Sequence, residues 1–197
     1  MSRLKLALIM YEGLTEQVFY KHVFKNYLPK TISPIHRNLK GGSGREKEVR
    51  AWLSYILTDS KYDNYDLYAY VFIDREGPAT KVSNFQSEAI VNRLNNTRVK
   101  SVCSIEAIKM IESWFFHDIE GICKYAGLSY TSTLQKNYCS PPMYDAKTLG
   151  QLIQKGSKKK VYIKGEEAFV KALDIDRIYN NCPDLRNGIT LINNECT

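Results

Sequence analysis

Histidine is scarce in this chain of 197 residues. His22, His36 and His117 lie on unrelated segments, and none has an acid or a nucleophile at a telling spacing, which argues against a histidine-based catalytic pair. The five cysteines (Cys103, Cys123, Cys139, Cys182, Cys196) are odd in number and widely spaced. They form no C-x-x-C pair and have no histidine at zinc-ligand distance, so a zinc site and a disulfide framework are both disfavoured. Buried or incidental thiols of a reducing compartment are the expectation. Long hydrophobic runs are also missing: the longest are far short of the ~20 residues that cross a bilayer. The opening apolar run meets Glu12 too early for a signal peptide, so we expect a soluble, cytoplasmic protein without a membrane partner. There is no internal repeat and no low-complexity segment.

What is present is an ordinary globular composition, 44% hydrophobic and 25% charged, enough to bury one sizeable core. The formal charge of +7 favours a polyanionic partner, although such an excess is also common on proteins that touch no nucleic acid.

The pattern centres on Tyr70-Val71-Phe72-Ile73-Asp74-Arg75-Glu76-Gly77. This continuous apolar run, ended by turn residues, reads as a strand buried on both faces, as in a parallel sheet. Asp74 and Glu76 then sit at its carboxyl end, on the same side of the strand, where ligands gather in open α/β sheets. Leu4 to Tyr11 repeats the design and stops at Glu12-Gly13-Leu14-Thr15-Glu16. Thr15 suits a helix N-cap, Leu14 is placed to staple onto Phe19, and Glu16 lies in the first turn.

Helical spacing continues to Leu28 and closes at Pro29. A second strand is predicted over residues 32–39, with Pro34 at an edge or at its start. Lys40-Gly41-Gly42-Ser43-Gly44-Arg45 lacks the spacing of a nucleotide-binding loop and reads as a connection into a helix carrying Val49, Trp52, Leu53, Ile56 and Leu57. A capping box at Ser83 to Gln86 opens another helix, residues 99–108 form a strand, and one helix runs from Met110 to about Tyr125. Trp114, Phe115 and Phe116 read as core. After Leu128 the chain turns to short helices: one from Asp145 to Lys155, a basic turn at residues 156–160, and two or three more divided by Asp174 and Cys182-Pro183. The expectation is an α/β core over 1–127, with a mostly parallel sheet of about four strands flanked by helices, and a mainly helical extension over 128–197.

Glu12, Glu16, Asp74 and Glu76 converge on one rim if the two strands are neighbours. Carboxylates ~4 Å apart repel by about 4 kcal/mol at an effective dielectric near 20, so such a cluster needs protons or a cation. An all-oxygen set suits Mg²⁺ or Mn²⁺. Equally, the four can be solvated strand-end acids that never meet. Arg45, Lys47, Arg50, Arg75, Lys109, Lys164 and the lysine run at 158–160 are the candidate phosphate-binding cations, with Arg75 and Lys109 flanking the acids; a solvated surface is the alternative, above all for the lysine run.

The order Glu12-Gly13-Leu14-Thr15-Glu16, Asp74-Arg75-Glu76-Gly77 and Ile111-Glu112-Ser113-Trp114-Phe115-Phe116-His117-Asp118 resembles the TOPRIM fold of small bacterial proteins related to RloB and to the OLD-family nucleases. The likeness covers residues 3 to about 120. It implies a metal-dependent nuclease acting on DNA or RNA, working in bacterial defence with an ATPase partner. Glu12 would be the general acid or base or a metal neighbour, Asp74 and Glu76 metal ligands, and Glu16 and Glu112 the ligands of a second ion. The family more often has Asp where this chain has Glu76, and Asp118 serves at most to cap or pair locally. A TOPRIM module that binds nucleic acid without cleaving it is the alternative, and a homodimer is compatible with either. Asp74-x-Glu76-Gly77 is also similar to the nucleophile loop of haloacid-dehalogenase-type phosphatases, a minor alternative because Pro78 replaces the usual Thr or Val.

Overall fold

The computed structural model describes residues 3–39, 44–75, 84–157 and 160–197. Four strands, β1 (Leu4–Tyr11), β2 (Ile35–Asn38), β3 (Tyr65–Asp74) and β4 (Val99–Ala107), form one sheet in the order β2-β1-β3-β4. Every pairing is parallel, with Leu8 beside Ala69 and Tyr11 beside Phe72 at the centre. The helices are α1 (Leu14–Tyr27), α2 (Arg45–Thr58), α3 (Ser87–Leu94), α4 (Glu112–Phe115), α5 (Ile119–Ala126), α6 (Ser132–Asn137), α7 (Ala146–Gly156), α8 (Glu167–Ala172), α9 (Ile175–Asn181) and α10 (Pro183–Cys196). None of them is long and apolar enough to cross a membrane.

Strand alternation splits the interior into two layers. Leu6, Leu8 and Met10 of β1 and Ala69, Val71 and Ile73 of β3 meet Val49, Trp52, Leu53 and Ile56 of α2 and Ile90 of α3. On the other face Ala7, Ile9, Tyr11, Tyr70 and Phe72 pack with α1, α4, α5 and the helices from α7 onward. Each fully buried side chain of this size contributes roughly 1.5–3 kcal/mol, which is why the central strands tolerate no polar residue until their tips. The backbone of α10 lies so near β4 that a Cβ on Gly188 would come within 2.6 Å of Ile105 Cγ2. This helix therefore helps to wall one face of the sheet.

Pro34 immediately precedes the edge strand β2, as its lack of an N–H requires. Three local expectations are corrected. The N-cap of α1 is Gly13, not Thr15, and it offers no side-chain cap. Thr15 is buried, with its Oγ1 accepting the Gly165 N–H at 3.2 Å, while Leu14 is exposed and staples nothing. The single helix expected over 110–125 is broken. Asp118 leaves helical geometry (φ −124°, ψ 71°) and caps α5 by accepting the Gly121 N–H at 3.1 Å. Its other oxygen takes the Asp174 N–H at 2.7 Å, and Arg177 pairs with it at 3.0 Å, so Asp118 ties α5 to α9. Finally, α3 starts at Ser87 after Gln86, and Ser83 of the expected capping box lies outside the described residues.

Candidate metal centre

From β1 the chain moves one way in the sheet to β2, then crosses to β3 on the other side of β1. The crevice between the carboxyl ends of β1 and β3 is thus the switch point of the sheet, where connections part and leave room for a ligand. Glu12 follows β1, its N–H bonded to the Phe72 carbonyl at 3.2 Å, and Asp74 ends β3. Glu16 stands in the first turn of α1 and Glu112 at the start of α4.

Each of the four acids is held by a different partner. Glu12 Oε2 accepts from Arg45 at 2.8 Å and from the Asp74 N–H at 3.1 Å. Asp74 Oδ1 accepts the Ile111 N–H at 2.8 Å. Glu112 Oε1 accepts the Tyr162 hydroxyl at 2.9 Å. The Glu16 carboxylate folds back over the helix start, where a Cβ on Gly13 would lie 2.8 Å from its Oε2.

Glu16 and Glu112 are 6% and 1% exposed, and among the described residues no Lys or Arg forms an ion pair with either of them or with Asp74. Burial and the charges of Glu112 and Glu12 raise the Glu16 carboxyl to about 7, against its own backbone N–H and nearby Lys164. Burial, then Glu16 and Glu112, raise Asp74 to about 8, with the Ile111 N–H opposing and Glu12 adding to the rise. These acids therefore sense one another's charge: the rim concentrates negative charge in a place poor in water.

An oxygen-only donor set under such repulsion fits a hard divalent cation. In the side-chain positions adopted here, no three acids, cysteines or histidines among the described residues are grouped to hold an ion, each acid turning to its own donor. Glu76, expected beside Asp74, lies outside the described residues.

Of the expected phosphate-binding cations, Arg45 pairs with Glu12, and Arg75 Nε pairs with Glu106 of β4 at 3.0 Å. Lys109, in the left-handed region (φ 67°), donates to the Met143 carbonyl at 2.8 Å and lies 3.4 Å from Asp145. Lys164 is exposed and faces Glu16. Two rim contacts were not anticipated from the sequence. Tyr162, which reaches Glu112 and whose hydroxyl lies 3.5 Å from Thr15 Oγ1, follows a lysine-rich turn and was not among the expected site residues. Ile111 opens the third motif, but the group that reaches Asp74 is its backbone N–H, which no side-chain pattern marks.

The model of a domain of unknown function, DUF4276, matches residues 11–190. The chain belongs to the DUF4276 family. All four rim acids and Tyr162 fall within the matched span. No curated protein matches this DUF4276 chain. In three dimensions it is similar to the C-terminal region of the Burkholderia pseudomallei OLD protein, with a TM-score of 0.50 and 14% identity over 97% of this chain and 98% of that one. At that identity the likeness establishes the fold, a four-stranded parallel sheet flanked by helices.

Proposed function

We propose that this DUF4276 domain is a metal-dependent nuclease of TOPRIM type that hydrolyses phosphodiester bonds of DNA or RNA with Mg²⁺ or Mn²⁺. The observation that carries the reading is that Glu16, Asp74 and Glu112 lie near enough at the switch point for their charges to act on one another, with no cationic side chain among the described residues paired to any of them. The motif resemblance and the OLD-like fold support it. They also accord with an ATPase partner and a role in defence.

Asp74 and Glu12, with Glu76 two residues beyond Asp74, would hold one ion, and Glu16 and Glu112 a second. A bound divalent ion supplies charge against the phosphodiester oxygens and makes water more acidic. The protein's own part is orientation. The Ile111 N–H fixes Asp74, Tyr162 fixes Glu112, and Arg45 together with the Asp74 N–H fixes Glu12. In this reading Glu12, half-buried just after β1, takes a proton from an incoming water. Lys164 supplies positive charge on the Glu16 side.

The second reading, a module that binds nucleic acid without cutting it, draws on the Arg45–Glu12 ion pair, which occupies the proton-accepting acid. The deciding experiment incubates the purified chain with single- and double-stranded DNA and RNA, with Mg²⁺, Mn²⁺ or EDTA. Metal-dependent cleavage that disappears in Asp74→Asn establishes the nuclease. Binding without cleavage under every metal condition establishes the module.

A further inference from the structure

A groove of about 130 Å³ lies between α2 and α3, lined by Glu46, Lys47, Arg50, Gln86, Ala89, Ile90 and Arg93. Lys47 and Arg50 are one helical turn apart on α2, and Gln86, Ala89 or Ile90 and Arg93 form the facing stripe around α3. Both helices begin at the carboxyl rim of the parallel sheet. The groove therefore starts beside Arg45, the residue bonded to Glu12, and runs about 10 Å down the face opposite the C-terminal helices, at 1.5 Å per helical residue. Its rim end is closed by a bond from the Gln86 N–H to Glu46 Oε1 at 3.2 Å.

Some described cations are paired and many are not; what marks this groove is that three unpaired ones share one lining. Arg45, Arg75, Arg98, Lys109 and Arg177 are each paired to an acid. Among the described residues, Lys47, Arg50 and Arg93 form no ion pair, and three cations against the one carboxylate of Glu46 leave the lining at +2. Three like charges around a common groove repel one another unless an anion lies among them. Arginine's planar fork suits phosphate oxygens better than any other side chain does. Among the described residues the lining exposes no aromatic ring on which a base could stack.

We propose that this groove binds the sugar-phosphate backbone of the nucleic acid outside the scissile position, through Lys47, Arg50 and Arg93 and without reading bases. The proposal rests on the nuclease reading for its direction, since it leads a polynucleotide onto the acidic rim, but its test does not depend on cleavage. Contact with three phosphates predicts a salt slope of log K about 2–3 steeper than that of a chain lacking them.

The test uses the full chain and a fluorescent 20-nucleotide strand, alone and as duplex, in EDTA at several salt concentrations. The triple variant Lys47→Ala, Arg50→Ala, Arg93→Ala is expected to lose at least tenfold in affinity at low salt and to flatten the salt slope, with an unchanged far-ultraviolet spectrum. Glu46→Gln, which keeps a carbonyl for the Gln86 N–H and removes the opposing charge, is expected to bind several-fold more tightly, a gain that misfolding does not produce. Unaltered affinity in both variants overturns the proposal. So does inorganic phosphate or a mononucleotide competing at concentrations comparable to the oligonucleotide, which makes the groove a small-anion site. Hydrolysis of bis(p-nitrophenyl) phosphate with Mn²⁺ is followed in parallel: it is expected to be equal in wild type and triple variant. If wild type binds through the groove yet never hydrolyses a diester, the groove stands and the nuclease reading falls.

Discussion

The Glu12 carboxylate on the tip of β1 accepts the backbone N–H of Asp74 on the tip of β3 at 3.1 Å, so that one acid holds the other's main chain in place. The same oxygen takes Arg45 at 2.8 Å. Glu12→Ala leaves both donors unmatched and is expected to cost about 1–3 kcal/mol, whereas Glu12→Gln, retaining an acceptor, costs roughly half as much. Denaturant unfolding measures both, and both variants should lose metal-dependent cleavage. Cleavage at the wild-type rate in Glu12→Gln would remove Glu12 from the chemistry.

The metal-free protein should lose stability as pH rises. Asp74 at about 8 and Glu16 at about 7 bind protons in the folded chain that the unfolded chain has already released above its ordinary carboxylate range near 4. The folded state then holds more protons than the unfolded one between about pH 4 and 8, so stability falls across that window. The thermal midpoint in EDTA is expected to fall across this window, by about 2–4 °C for each kcal/mol lost in a chain of this size. Excess Mn²⁺ should flatten the curve, and Asp74→Asn should remove part of the slope. A midpoint that rises steadily from pH 5 to 8 in EDTA would contradict the charge cluster.

Tyr162→Phe removes the hydroxyl that Glu112 accepts at 2.9 Å and leaves a carboxylate that is 1% exposed without that donor. A loss of about 1–3 kcal/mol is expected. Mn²⁺ titration followed by paramagnetic resonance should show weaker binding than in wild type, which a purely structural hydroxyl would not cause.

Gly13 has ordinary extended geometry (φ −148°, ψ 179°), so alanine there is free of backbone strain. Its Cβ would nevertheless meet Glu16 Oε2 at 2.8 Å and push that carboxylate off the helix start. Gly13→Ala is expected to cost about 1 kcal/mol, in keeping with alanine's poor record as an N-cap, and to weaken the second metal more than the first. Calorimetric titration with Mn²⁺ resolves the two.

Sequence patterning reaches the fold because the two central strands are buried on both faces and so spell continuous apolar runs, Leu6 to Tyr11 and Leu67 to Ile73. The same runs locate Glu12 and Asp74, the first polar residues where burial ends. The register of long-range partners is another matter. Thr15 reads as a cap because local capping is all that a neighbouring sequence can express, yet its hydroxyl serves Gly165, 150 residues away. Arg45 and Arg75 read as free cations because the acids they meet, Glu12 and Glu106, are over 30 residues distant in each case. Met110 to Tyr125 reads as one helix because Asp118's real partners, Asp174 and Arg177, cap and begin the distant α9.

The bond between Gly165 and Thr15, with Tyr162 beside it on Glu112, joins residues 150 positions apart. Closing so long a loop is entropically costly and comes late, after the local helices and the neighbouring strands have formed. A nascent chain still emerging from the ribosome, or a fragment cut before residue 160, holds Glu12, Glu16, Asp74 and Glu112 but not the tyrosine that orders the last of them. If the domain cuts nucleic acid as proposed, its acidic rim is complete only once the chain has been made as far as Tyr162 and Gly165.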